Sequence, residues 1–123
     1  VRSISEEEDA ASALYADAFR IREQGTEKVF REMLAKLKRK PVYLSLDIDG
    51  IDPAYAGGTG TPEPFGLTPW DVKQIIGILG HRLIGFDVVE VCPPYDNGST
   101  SILAARLIRE VIAVKWKASK GKH

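Results

Sequence analysis

Two aspartates two residues apart, Asp47 and Asp49, close the apolar run PVYLSLDID, and Glu90 stands near the end of a second such run, RLIGFDVVEV. In a β-strand residues two apart point to the same side, so the two aspartates would present their carboxylates together at the strand's carboxyl end. Open α/β sheets bind their ligands at that edge. Two ionised carboxylates a few ångströms apart repel, and each raises the other's pKa unless a cation lies between them. A hard divalent metal removes the conflict, which makes the pair a metal-site candidate. The competing reading is that both aspartates only cap the loop that follows, since Asp and Gly are common turn residues. Glu90 poses the same kind of problem: a buried glutamate needs a partner, either a cationic ligand or a basic side chain such as Arg82. Asp87 is read as a residue that supports a neighbouring group or caps a helix.

The loop AYAGGTGTPEP between the two runs is long and rich in glycine, as functional loops inside compact domains are. Gly57, Gly58 and Gly60 allow sharp turns, and Thr59 and Thr61 offer hydroxyls near the carboxylate edge. A phosphate-cradling P-loop is disfavoured because the lysine and the helix start are missing. A calcium loop fails as well, because Ile51 stands where an oxygen ligand is required if Asp47 is position one. Asp52, just before Pro53, is read as an organiser of the loop. The histidines are His81, at an expected helix-to-strand turn, and His123, the last residue. Neither is read as a catalyst.

The elements that must position these groups alternate. VRSI reads as the end of a strand, and a chain that begins at Val1 suggests an excised or processed segment. Ser5 with Glu8 forms a capping-box pattern that predicts a helix over 6–17. AFRIRE is a possible short strand. Thr26 can cap a helix whose apolar face is Val29, Phe30, Met33, Leu34 and Leu37. PVYLSLDID has the near-continuous apolarity of a parallel strand covered on both faces. Thr68 with Asp71, and Pro69 at the first helical position, predict a helix through PWDVKQIIGIL that Gly80 ends. RLIGFDVVEV is the next buried strand. STSILAARLIREVIAVKWK leaves only a narrow stripe, Arg106, Glu110, Ala113 and Lys117, for solvent and is expected to be a well-buried helix. The order βαβαβαβα predicts an α/β sheet with helices on its faces.

Size and charge narrow the classes. A chain of 123 residues is one small domain or part of one. Lys+Arg and Asp+Glu both total 17, so neither nucleic acid nor an anionic membrane is an expected partner. No apolar run has the length of a membrane span. The single cysteine, Cys92, excludes an intrachain disulfide and fits a reducing compartment, which points to the cytoplasm.

Three ordered blocks, SLDIDGIDP, GTGTPEP and GFDVVEVCPPYD, resemble the ureohydrolase family of arginase, agmatinase and formiminoglutamase. VVEVCPPYD leans toward the agmatinase branch. The similarity runs across essentially the whole chain but corresponds to the C-terminal part of the family's domain. It implies a three-layer αβα fold around a central, mainly parallel sheet, incomplete here, with residues 1–123 forming the C-terminal part of one domain. It implies a binuclear Mn2+ site and a metal-bridging hydroxide that attacks a guanidinium carbon, giving urea and an amine. On this pattern Asp47 and Asp49 match a late pair of metal-ligand aspartates, Glu90 the carboxylate that holds the guanidinium, and Thr61 a threonine beside the substrate. Agmatine is the first substrate implied, with putrescine as the amine. Arginine, guanidinobutyrate and formiminoglutamate are alternatives. The expected partners are that small guanidino substrate, the remaining N-terminal part of the domain, and further copies in a trimer or hexamer.

The departures from the family pattern are specific. Agmatinase-like loops carry proline where this chain has Gly57 and glycine where it has Phe65, which bears on the substrate pocket. The earlier histidine motifs of the kinds GGDHS and DAHxD, which supply the other metal ligands, are absent, so the chain alone is expected to be inactive. DIDG is also similar to an element of haloacid-dehalogenase-type phosphatases, but the later lysine and acidic pair of that family are missing. A non-catalytic α/β scaffold that assembles with another chain is the remaining alternative.

Overall fold

Thr68 fixes the start of the helix behind the glycine-rich loop. Its hydroxyl accepts the Asp71 N–H at 3.1 Å while Asp71 Oδ2 accepts the Thr68 N–H at 2.8 Å, the reciprocal bonds of a capping box. Pro69 occupies the first turn, and Gly80 closes the helix by donating its N–H to the Ile76 carbonyl. In the computed structural model, which describes residues 14–120, this helix is the third of four: α1 Ala18–Gln24, α2 Thr26–Lys36, α3 Pro69–Leu79 and α4 Ser99–Lys120. The strands are β1 Val42–Asp47 and β2 Leu83–Val89. Single 3-10 turns cover Ile48–Gly50, Gly80–Arg82 and Pro93–Tyr95.

The strands pair in parallel, with Leu44 opposite Phe86, Ser45 opposite Asp87 and Asp47 opposite Val89. Alternation along them sends Leu44, Leu46, Phe86 and Val88 toward the core built by Ile48, Ile51, Val72, Ile76, Leu79, Leu83, Ala104 and Leu107. Tyr43, Ser45 and Asp87 share the opposite face. There the Tyr43 and Ser45 hydroxyls donate to the Asp87 carboxylate at 2.6 and 2.7 Å. Those two bonds hold the Asp87 carboxyl below the usual carboxylate range, and the bond to Asp87 raises the Tyr43 phenol.

Several expectations are corrected by this arrangement. AFRIRE is helical: the Asp17 carboxylate accepts the Arg20 N–H at 2.7 Å and caps α1, Arg20 pairs with Glu32 across to α2, and Gly25 (φ 85°) ends the helix. The alternation Phe-Arg-Ile-Arg suited either period, and the cap decided it. Thr26 is not the α2 cap. Gly25 takes that position, and the Thr26 hydroxyl instead donates to Asp71 Oδ1 at 2.5 Å. β1 is not covered on both faces: Tyr43, Ser45 and Asp47 are exposed while their neighbours turn inward. Helix α4 buries only Thr100, Ala104, Leu107 and Val111, leaving Ile102, Ile112 and Trp116 exposed, so it is amphipathic rather than well buried. The order among the described residues is ααβαβα, with two strands where three were expected, because AFRIRE is helical. Residues 14–17 are not helical, and the rest of the helix expected over 6–17, with the VRSI strand, lies outside the described residues.

Candidate active site

At the carboxyl end of β1 the chain leaves the pleat immediately. Asp47 is the last strand residue, and its Oδ1 accepts the Asp49 N–H at 3.2 Å, which tightens Ile48–Gly50 into a 3-10 turn. Asp49 therefore stands on that turn and not on the strand, a correction to the alternation argument. Ile48, fully buried, anchors the turn in the core between the two aspartates. The cap bond and the pairing of carboxylates both exist here, because one oxygen of Asp47 suffices for the cap.

Thr61 reaches this pair from the loop: its hydroxyl donates to Asp49 Oδ2 at 2.5 Å. Glu90 follows β2 directly and has a left-handed backbone, φ 62°. A non-glycine residue is rarely held there, and such strain costs roughly 1–3 kcal/mol. That conformation takes Glu90 out of the strand's alternation. The electrostatics place its charge within reach of Asp47, whose carboxyl is pushed up by burial, against the bond from the Asp49 backbone, and pushed up further by the negative charges of Asp49 and Glu90. Asp47, Asp49 and Thr61 thus meet at one sheet edge, with Glu90 near enough for its charge to act on Asp47.

Arg82 does not neutralise Glu90. Its guanidinium donates to the Leu34 carbonyl at 3.0 Å and the Lys40 carbonyl at 2.7 Å, at the carbonyl-bearing end of α2. His81 is exposed on the Gly80–Arg82 turn, beside Gln74 and Gly77, and takes no part in the carboxylate cluster. His123 lies outside the described residues.

The loop that carries Thr61 is pinned at its base. Asp52 Oδ1 accepts the Ala54 N–H at 2.9 Å and Oδ2 the Phe65 N–H at 2.8 Å, while the Asp52 and Leu67 amides donate to Leu67 and Gly50 carbonyls at 2.9 Å each. Asp52 is the loop organiser that its place before Pro53 suggested. Gly66 runs against this base so closely that a Cβ would meet the Asp52 nitrogen at 2.5 Å. Phe65 has φ 68° and is 80% exposed. A concavity of about 870 Å3 lies to one side, between Arg22, Thr26, Asp52, Tyr55, Phe65 and Asp71, and includes none of Asp47, Asp49 and Glu90. The carboxylate cluster is an open edge of the sheet.

Asp96 and Thr100 had no role in the sequence reading. The Asp96 carboxylate accepts the Thr100 hydroxyl at 2.6 Å, the Thr100 N–H at 2.9 Å, the Gly98 N–H at 2.8 Å and the Ser99 hydroxyl at 3.0 Å, and these bonds hold its pKa at about 2. The DNGST run is the signal that could have found it, an acidic cap with hydroxyl residues ahead of a helix.

The chemistry of the cluster fits part of a hard-cation site. Asp47 and Asp49 offer oxygen donors suited to Mn2+, and a cation there would relieve the repulsion that raises Asp47. Among the described residues no group of three or more His, Cys, Asp or Glu side chains could hold a metal by itself. Nor, among them, is any helix long and apolar enough to cross a membrane.

Comparison with known proteins gives the family. The guanidinobutyrase of Pseudomonas aeruginosa is 54% identical over 90 residues, 72% of this chain and 28% of that protein. The mitochondrial agmatinase of Gallus gallus is 55% identical over 76 residues, 60% of this chain and 22% of that protein. The crystal structure of the agmatine ureohydrolase of Thermoplasma volcanium superposes with a TM-score of 0.87 at 44% identity, over 98% of this chain and 42% of that one. The chain thus spans roughly a quarter of the length of these curated relatives and carries an incomplete arginase-like α/β fold. The arginase family model matches residues 1–114, and the chain belongs to the arginase family.

Proposed function

We propose that residues 1–123 are the C-terminal part of a single ureohydrolase domain that hydrolyses a guanidino compound, agmatine first, to urea and an amine. The observation that supports the assignment of roles is the meeting of Asp47, Asp49 and Thr61 at one sheet edge, with the Glu90 charge acting on Asp47. Asp47 and Asp49 would hold manganese, two ions in the complete enzyme, together with ligands from the remaining N-terminal part of the domain. What manganese supplies when bound is an acidified water that can attack carbon at neutral pH.

The remaining steps belong to the chain's own residues. Glu90 pairs with the permanently cationic guanidinium, and two parallel N–H···O bonds fix the plane of that group. Fixing the plane exposes one face of the guanidinium carbon toward the aspartates and lowers the entropic part of the barrier. Thr61 holds Asp49 Oδ2 with its own proton and so fixes the Asp49 carboxylate against the loop. The strained backbone of Glu90 is consistent with this role, since strain of that kind collects at functional positions.

A guanidino acid such as guanidinobutyrate is the second reading. It is favoured by the match to the P. aeruginosa guanidinobutyrase, which extends over 90 residues against 76 for the G. gallus agmatinase at nearly equal identity. Assembly into a trimer or hexamer, and a reducing compartment such as the cytoplasm, complete the proposal. The test is urea release by the complete protein with manganese present, offering agmatine, arginine and guanidinobutyrate side by side, with the 123-residue chain as control. Urea from the complete protein alone supports the assignment and ranks the substrates. No urea from any of them, despite bound manganese, overturns it.

A further inference from the structure

The loop that presents Thr61 to Asp49 is held at its middle by a chain of bonds that begins in helix α4. The Gly58 N–H donates to the Thr100 hydroxyl at 2.8 Å, and the Thr100 hydroxyl donates to Asp96 Oδ2 at 2.6 Å. The direction is set by chemistry. An amide N–H can only donate, a hydroxyl has one proton, and an ionised carboxylate can only accept, so the order N–H to O–H to carboxylate is the one arrangement that satisfies all three. Thr100 is fully buried, so no solvent competes for these bonds. On its other side the Gly58 carbonyl accepts the Cys92 N–H at 2.8 Å. Gly58 also lies against the Asp96 carboxylate, where a Cβ would come within 2.7 Å of Cγ.

We propose that Thr100 and Asp96 are positioning residues of the candidate site, which hold Gly58 and through it the loop that sets the Thr61 hydroxyl on Asp49. The inference rests on the ureohydrolase reading only for the consequence in turnover. Thr61 lies three residues past Gly58, a reach of about 10 Å at most. Behind it, the backbone is fixed at Gly58, and Thr59 is buried with no hydrogen-bond partner for its hydroxyl. Ahead of it, the next backbone bond is the Phe65 N–H to Asp52. Without the Thr100 bond, Gly58 is held by the Cys92 N–H alone, one backbone anchor in place of two on the near side of Thr61. The Thr61 to Asp49 bond would then have to hold a looser loop.

Thr100→Val keeps the shape and removes the relay, Thr100→Ser restores the hydroxyl, and Asp96→Asn keeps the volume while removing the charge. In the complete protein, amide hydrogen exchange over residues 57–61 is measured alongside kcat and KM for urea release. Thr100→Val is expected to raise exchange in that segment about tenfold or more and to lower kcat about tenfold to a hundredfold, the size expected when a positioned group drifts by about an ångström. Thr100→Ser is expected to restore both, which a purely stabilising role would not tie to the loop. Should Thr100→Val fail to fold, Asp96→Asn is expected to show the same loosening at smaller amplitude. Unchanged exchange in the folded variants overturns the clasp whatever the substrate, and wild-type kcat alongside raised exchange overturns its positioning role in turnover. No urea from the wild-type protein overturns the guanidine-hydrolase reading separately, and the exchange result still decides whether Thr100 and Asp96 hold the loop.

Discussion

Glu90 carries the clearest conflict between stability and use. Its φ of 62° suits glycine or asparagine, yet a glutamate stands there whose negative charge helps push the Asp47 carboxyl up. Glu90→Asn is therefore expected to leave the unfolding free energy unchanged or to raise it by up to about 1 kcal/mol, read as an unchanged or higher melting midpoint, while turnover collapses. A melting midpoint lowered by a comparable amount would show that Glu90 is held for packing instead. Glu90→Gln is expected to spare manganese binding and still cripple turnover, because the amide loses the charge that pairs with a guanidinium. Asp47→Asn and Asp49→Asn should each weaken manganese binding and remove most activity, on the order of a hundredfold, read by calorimetry and urea release. Wild-type activity in both aspartate variants would exclude them as ligands. The carboxylates were legible in the sequence because Asp47, Asp49 and Glu90 stand at the ends of apolar strand-like runs, although D-x-D alone suited a loop cap equally well and Asp47 does cap the turn. The route to their meeting was not legible, since the 3-10 turn at Asp49 and the left-handed Glu90 are backbone choices that alternation cannot anticipate.

Among the elements, the loop and the two helix starts around it hold the sharpest tests. Gly66→Ala should lower stability by about 1–3 kcal/mol or more, since its methyl would meet main-chain atoms of Ile51 and Asp52 that cannot swing aside. Chemical denaturation reads the change, and a neutral result would mean that the loop base is looser than its hydrogen bonds imply. Asp96 gives the pH test. The bonds from Thr100 come first among those that hold its carboxyl at about 2, below the ordinary value near 3.9 for an unfolded chain. A depressed carboxylate stabilises the fold above the unfolded value, and that contribution fades as pH falls from roughly 4 toward 2. The acid limb of an unfolding titration should flatten in this window in Asp96→Asn relative to the wild type. Helix α3 was legible to the residue, because Thr68, Pro69, Asp71 and Gly80 are all local signals. Helix α1 was not, because FRIR fits two periods and the deciding cap is a single residue outside the stretch.

At the scale of the molecule, helices and core lie on one face of a two-stranded sheet, and none of the described helices covers the other face. Ile84, at 72% exposed, marks that face, and Ile102, at 73%, marks the outer side of α4. The 123-residue chain produced alone should self-associate at micromolar concentration, seen as a rising sedimentation coefficient, because open strand edges and apolar stripes recruit one another. A monodisperse monomer would show that these faces are tolerated in water. The burial of both sheet faces was over-read from the sequence for the same reason: apolarity reports what a residue can be buried against, not whether the covering layer is in the same stretch of chain.

One carboxylate ties the helix layer together. Asp71 takes the Thr26 hydroxyl from the start of α2 and both the amide and hydroxyl of Thr68 at the start of α3. Positions 26, 68 and 71 are therefore a single unit of inheritance: a change at Asp71 orphans two helix starts at once, and an altered partner is best tolerated when the others change with it. In a collection of sequences sharing this fold, these three positions should vary together or not at all, although 45 residues separate the first from the last.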